Sequence, residues 1–377
     1  MTKTYIPCLD GIRGSLAIWV VWGHICHGVG AAIPVIGVPG LAVDLFMLMS
    51  GFLMAWHWEL NPPEEMPSLQ RAKGFWIRRF FRIAPLYYPL LLISLWLTPK
   101  HLLAENSLLS AYPLPWATEL KSYVSPTDYS VSLASVLSHL TFTFGMLPQF
   151  SNNNILPDWS ISLEMQFYAL FPFLVIWLRR RTIVAFCLLS IALSVAANRL
   201  FGLYLFAGPL GSFPQPSFIP FKLHVFVAGM ALGWLAAHRA EKSGRYLYYV
   251  AFALPLLFLP KLVVLGALAI AAVIMIDIAP FRLVAKILGS RPFRFLGDVS
   301  YPVYLFHMLP LYFFLNVLLD HGFFDGTTPV IRFALVAILY TPLVLLCGYF
   351  LHQFIEVPGI ELGRRMIKRE KRAVINT

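Results

Sequence analysis

The sequence predicts an all-α polytopic membrane protein with about ten transmembrane helices and both termini in the cytoplasm. The first observation behind this is composition. Of 377 residues, 59% are hydrophobic and only 12% charged, with a mean hydropathy of +0.72. Too little polar surface remains to cover water-soluble domains. The second is a series of apolar runs near the roughly 20 residues that ~30 Å of hydrocarbon requires. The third is an unequal division of positive charge between alternate loops. In a soluble chain a net charge of +11 would suggest nucleic acid. In a membrane chain the same excess records topology, so no nucleic-acid partner is expected.

The first run, 12–30, contains Arg13 and His24, and no clean small-residue cleavage site follows it. It reads as a retained helix rather than a removed signal. The other runs lie at 38–58, 83–98, 158–178, 182–200, 220–237, 246–260, 262–279, 299–319 and 330–352. The third, seventh and eighth are short, as tilted or partly buried helices would be. The stretch 131–148 is apolar but carries Ser132, Ser135, Ser138, His139 and Thr143. Counting it as a crossing would put Arg179, Arg180 and Arg181 on the wrong side. It is expected as a surface or re-entrant helix within a long outer loop, 99–157.

With the N-terminus inside, 23 of the 29 Lys and Arg residues fall on the inner side. The outer 6 are Lys100, Lys121, Arg199, Lys222, Lys261 and Arg332. A basic cytoplasmic tail, 360–377, closes a single integral-membrane domain, 1–377. Cys8, Cys26, Cys187 and Cys347 are widely spaced, with no Cys-x-x-Cys pattern, so neither a disulfide framework nor a metal site is expected.

With so few charges, those inside apolar runs stand out, because ionisable groups in hydrocarbon are costly. Arg13 and His24 are eleven residues apart, nearly on one helix face and about 16 Å apart along the axis. Asp44 lies just below the outer end of the second span, at a depth similar to His24, so a His24–Asp44 contact is available. Such a carboxylate would orient the imidazole as a general base. Glu164, about 9 Å below the outer end of the fourth span, can meet the same level. Each residue alone also reads as a packed or snorkelling side chain. On the inner side, Arg78, Arg79 and Arg82 precede the third span, either as topology anchors or as a phosphate clamp. Ser300, Tyr301, Tyr304 and His307 open the ninth. The loop residues Tyr112, Trp116, Tyr123 and Tyr129 suit either a sugar-stacking surface or an interfacial belt.

These motifs, taken in order, resemble the acyltransferase type 3 family of integral-membrane O-acyltransferases. Asp10-Gly11-Ile12-Arg13-Gly14 through His24 matches the family's opening Arg-x10-His pattern, and Val43-Asp44-Leu45-Phe46 through Ser50-Gly51-Phe52 matches its second motif. Arg79 and Arg82 match R-x-x-R. Trp159-Ser160 through Glu164, Phe167 and Tyr168 resembles W-S-L-x-x-E-x-x-F-Y. Gly297, Ser300, Tyr301, Tyr304, Leu305 and His307 resemble a late G-x-x-S-Y-x-x-Y-L-x-H, and Glu356 with Pro358 a terminal E-x-P. Met47, Met49 and Ile161 replace commoner residues. Some family members carry an added outer esterase-like domain. The chain ends soon after its tenth expected span, so that domain is expected to be absent.

The resemblance implies a multi-pass protein of the bacterial cytoplasmic (inner) membrane that moves an acyl group, most often acetyl, from cytosolic acyl-CoA to a carbohydrate hydroxyl such as that of a surface polysaccharide. Acyl-CoA is a co-substrate, and no bound cofactor is expected. His24 is the expected base, oriented by Asp44 or Glu164. Arg13, Arg78, Arg79, Arg82, Ser300, Tyr301, Tyr304 and His307 are expected around the donor, with Tyr304 or His307 also able to face an oxyanion. Direct transfer and a covalent acyl-histidine both remain open. The rival reading is a transporter or flippase for a glycolipid or polysaccharide precursor, in which the same polar residues relay protons.

Overall fold

Backbone polar groups in hydrocarbon must pair within their own segment, so apolar runs fold as helices. The computed structural model describes residues 5–60, 68–113, 131–204, 208–241 and 243–375, and its apolar runs are helical. The helices are α1 (Pro7–Gly28), α2 (Pro39–Leu60), α3 (Ser68–Ala111), α4 (Leu133–Leu140), α5 (Trp159–Leu174), α6 (Ile183–Leu200), α7 (Leu223–Ala237) and α8 (Arg245–Leu256). They continue with α9 (Lys261–Met275), α10 (Ala279–Leu288), α11 (Arg291–Asp298), α12 (Ser300–Phe306), α13 (Met308–Asp320), α14 (Pro329–Leu351) and α15 (Val357–Ile375). A two-residue parallel pairing, Gly202–Leu203 with Ser212–Phe213, folds the loop between α6 and α7. Trp116, Tyr123, Tyr129, Lys3, Lys121 and Lys242 lie outside the described residues.

Five helical segments are long and apolar enough to cross a bilayer: α2, residues 69–111 of α3, α5 with its extension to Leu178, α6, and α14 continuing to Arg369. Two bent pairs, α9/α10 at 98° and α12/α13 at 58°, raise this to seven if each pair is one span. The chain is an all-α, multi-pass membrane protein. The first expected span coincides with α1, but Asp10, Arg13 and two histidines dilute its hydropathy. The sixth and seventh coincide with α7 and α8, of 15 and 12 residues.

The third expected span, 83–98, is the middle of a far longer helix. The 44 residues of α3 extend about 66 Å, more than twice a hydrocarbon core. Pro85, Pro89 and Pro99 lie within it. The arginine motif is therefore part of the α3 rod, not a loop before it, and the outer loop begins as helix as far as Ala111. The expected tail is likewise helical: α14 passes through one π turn, His352–Glu356, directly into α15. The eight residues of α4 rise only about 12 Å, too short to cross.

The centre of the molecule is the α2–α7 pair. From Leu223 to Ala236 every residue of α7 is buried, as expected for a helix apolar on all sides. Close approach is set by glycines: a β-carbon on Gly229 would overlap the Leu48 carbonyl, and one on Gly51 the Phe226 carbonyl. Small residues let backbones touch where lipid supplies no hydrophobic drive. Gly229→Leu is therefore expected to lower the melting temperature of detergent-solubilised protein sharply. Its cost lies at or above the top of the ~1–3 kcal/mol usual for overpacking, because the obstacle is backbone. At the periphery, α14 exposes Ile338, Leu343, Leu346 and Phe350, a lipid-facing surface.

Candidate active site

The polar groups of the spans sort into separate clusters, and His24 is the centre of one. Its partner is His307, at the 58° break between α12 and α13. His307 Nε2 lies 3.0 Å from His24 Nδ1. His307 Nδ1 lies 2.7 Å from the Tyr304 carbonyl and 3.1 Å from that of Val303. His24 Nδ1 is also 3.0 Å from the Val20 carbonyl. Carbonyl oxygens only accept, so Nδ1 of each ring carries its hydrogen. His307 then presents a bare Nε2 to the N–H of His24, and His24 Nε2 is left with its lone pair free. His307 is fully buried, while His24 is partly exposed. Tyr340 donates to the His307 carbonyl and braces the break from α14.

The expected His24–Asp44 contact does not form. Asp44 Oδ1 is 2.7 Å from Lys222 Nζ at the start of α7. Gly23, next to His24, packs on Pro39 at the first turn of α2, so Asp44 lies more than a turn further down its helix, where it meets α7 rather than His24. Lys222, read from sequence as an outer-loop cation, is the buried counter-ion that a carboxylate inside the protein requires.

Glu164 is also not at the level of His24. It accepts from Ser50 at 2.8 Å and from Tyr168. It lines a cavity of about 80 Å³ together with Arg13, Phe46, Met47, Ser50, Ser160, Ser300, Tyr301 and Tyr304. Arg13 and Glu164 thus place a cation and a carboxylate on one small chamber below the histidine pair. Tyr304 joins the two levels, since its ring lies 6.3 Å from that of His307. Its phenol donates to the Pro157 carbonyl at 3.0 Å, leaving Ser160 to donate to the phenol oxygen at 2.6 Å. Ser300 donates to the Gly297 carbonyl at 2.7 Å, and Tyr301 to that of Ile83 at 2.8 Å, which ties α12 to α3.

The motif arginines of α3, Arg78, Arg79 and Arg82, do not act as a group. Arg82 forms an ion pair with the buried Glu356, whose other oxygen is 2.7 Å from His352 Nδ1. The π turn carries both partners to α3, and a phosphate would have to displace Glu356 to reach Arg82. Arg79 lies over the rings of Phe75 and Tyr168, at 5.7 and 5.6 Å. Arg78 is exposed. Outside the spans, burial and the neighbouring Asp10 carboxylate raise the Asp298 carboxyl above its ordinary range, against the pull of His352, Arg82 and Arg13.

A further cluster had no signal in the sequence beyond its adjacency to Trp159-Ser160. The Asp158 carboxylate accepts from Tyr87 at 2.9 Å and from Asn154 at 3.0 Å, with His139 3.7 Å away and stacked on Phe144. All three side chains, Asp158, His139 and Tyr87, are buried. They hold the segment that offers Pro157 and Ser160 to Tyr304. Tyr112 packs edge-on against Phe324 and lies under Arg332 at 4.1 Å, so its faces are largely committed.

A family model described as an acyltransferase domain matches residues 6–352. The peptidoglycan O-acetyltransferase OatA of Listeria monocytogenes is 25% identical over 342 residues, covering 81% of this chain and 49% of its own. The O-acetyltransferase OatA of Staphylococcus aureus is 24% identical over 388 residues, covering 94% and 57%. The chain spans about half the length of these curated relatives. No solved structure matches.

Proposed function

This chain belongs to the acyltransferase type 3 family, and from that membership we propose that it is a membrane O-acetyltransferase of cell-wall or surface carbohydrate. Acetyl-CoA from the cytosol is the donor, a sugar hydroxyl the acceptor, and His24 the base. Ten crossings with both termini cytoplasmic, in a bacterial inner membrane, complete the proposal, supported by the 23-to-6 division of positive charge.

The observation that carries this reading is the 3.0 Å contact between His24 Nδ1 and His307 Nε2. A base needs one nitrogen with a free lone pair and a ring held in one tautomer. His307 supplies the second condition, the task sequence reasoning gave to Asp44. The acceptor hydroxyl gives its proton to His24 Nε2 as its oxygen attacks the thioester carbonyl. The C–S bond then breaks, and the thiolate takes the proton back from the imidazolium, so the base is regenerated and the thiol departs. Arg13 stands about three turns inward of His24, on the approach of an anionic donor. The chamber it shares with Glu164 is small, of about 80 Å³, in keeping with a narrow arm rather than a whole nucleotide.

Purified protein incubated with labelled acetyl-CoA and glycan fragments should transfer label to sugar hydroxyls. Movement of glycolipid without consumption of acetyl-CoA would instead establish the transporter reading.

A further inference from the structure

α10 leaves α9 at 98°. A helix that turns a right angle from a spanning helix runs in the plane of the membrane. In the proposed topology α9 runs inward, so α10 lies at the inner surface. None of its ten residues is buried. The helical period divides them into three faces. Leu283, Val284 and Ile287, 59%, 40% and 48% exposed, form an apolar face without cover. Arg282 and Lys286, one turn apart and exposed, form a basic edge. Phe281, Ala285 and Leu288 are partly buried against the protein.

Charge on this segment is of one sign. Residues 279–294 carry Arg282, Lys286, Arg291 and Arg294 and no acid. Asp277, just before α10, lies 3.6 Å from Arg282 with both side chains mostly exposed, a pairing that water keeps weak. Arg294 is taken up beside Tyr5. An apolar face flanked by free cations is the pattern of a helix set in the membrane interface. The apolar face also continues the exposed surface of α9 at Leu262, Leu265 and Leu268, which favours lipid over a soluble partner. Anionic phospholipids of the inner leaflet supply the opposite charge.

The same segment clasps the inner end of α1. A β-carbon on Gly11 would overlap the Leu288 carbonyl, and one on Gly14 the backbone of Leu296 and Gly297. Between those two glycines stands Arg13, on the chamber wall. α11 then leads into Ser300, Tyr301 and Tyr304, on the same wall, and Ser300 donates to the Gly297 carbonyl at 2.7 Å. Whatever holds α10 and α11 in place therefore holds two sides of the chamber.

We propose that α10 and the start of α11 bind anionic phospholipid headgroups through Arg282, Lys286 and Arg291, and that this contact seats the inner end of α1 and the chamber wall for transfer. The effect on rate rests on the acetyl-transfer reading above; the lipid binding does not.

Native mass spectrometry of the full chain, taken from micelles holding equal phosphatidylglycerol and phosphatidylcholine, reads the first part. The wild type should retain phosphatidylglycerol in preference. Arg282→Gln, Lys286→Gln and Arg291→Gln together should lower that preference about 10²-fold, at about fivefold for each cation near an anionic surface. Arg364→Gln, Arg365→Gln and Lys368→Gln on α15 should leave it in place. No preference in the wild type, or an equal loss in both triple variants, overturns the lipid site. A dimer in place of bound lipid, broken by Leu283→Ser, gives the face to a second copy and also overturns it. In nanodiscs, wild-type acetyl transfer should be several-fold faster with phosphatidylglycerol than with phosphatidylcholine alone, and the α10–α11 variant should show no such difference. Equal wild-type rates in the two lipids overturn the link to the chamber. A wild-type protein that consumes no acetyl-CoA in either lipid overturns the transfer reading itself, a separate result.

Discussion

Alanine at position 24 is expected to lower acyl transfer by about 10²- to 10⁴-fold, the usual worth of a positioned general base, in a protein that still inserts and melts as the wild type does. His24 is partly exposed on a helix whose packing is carried by other residues, so the change removes a function more than a core contact. His307→Phe should also slow transfer, but by less. It keeps the ring volume at the α12–α13 break and removes the acceptor at 3.0 Å from His24 Nδ1. The Val20 carbonyl, also at 3.0 Å, would still hold the His24 N–H in place. Rates with labelled acetyl-CoA on both folded variants give the order. Wild-type transfer by His24→Ala would remove the assignment, and a larger loss for His307→Phe than for His24→Ala would exchange the roles of the two rings.

The next largest effect is expected on stability, at the Asp44–Lys222 pair. The two side chains are 6% and 18% exposed, so removing one leaves the other charge buried without a partner. Loss of one member of such a pair costs about 3–5 kcal/mol. Asp44→Ala should therefore unfold at much lower temperature or denaturant. The double variant Asp44→Leu with Lys222→Met should recover most of the loss, because neither charge then has to leave water. A single variant as stable as wild type would refute the ion pair as a structural element. A stable double variant that transfers no acyl group would return Asp44 to the chemistry.

The helical segments were legible from sequence because hydropathy is local: each run of apolar residues states its own need to leave water. Their true ends were not. α3 continues through three prolines and the arginine motif because neighbouring helices hold it, and α14 runs into α15 through a π turn that brings Glu356 to Arg82. The motif residues were legible as residues. His24 was marked as a titratable group within an apolar run, yet its partner was sought one helix away, when it lies 283 residues further along. Lys222 was counted as a loop charge because its partner is contributed by α2. The chamber was half legible: Arg13, Glu164, Tyr301 and Tyr304 were named, but Glu164 was set at the wrong level and Ser50 was not singled out.

The sequence by itself determined that this chain lives in a membrane, is built of helices, and carries the ordered motifs of an acyltransferase family, since burial cost, charge asymmetry and motif order are properties of the linear chain. Only the tertiary structure decided which ionisable group faces which. That depends on the rotation and depth of helices distant in sequence. In a low-dielectric interior, where each buried charge or imidazole must find a specific partner, those rotations assign Asp44 to Lys222, Arg82 to Glu356, and His24 to His307.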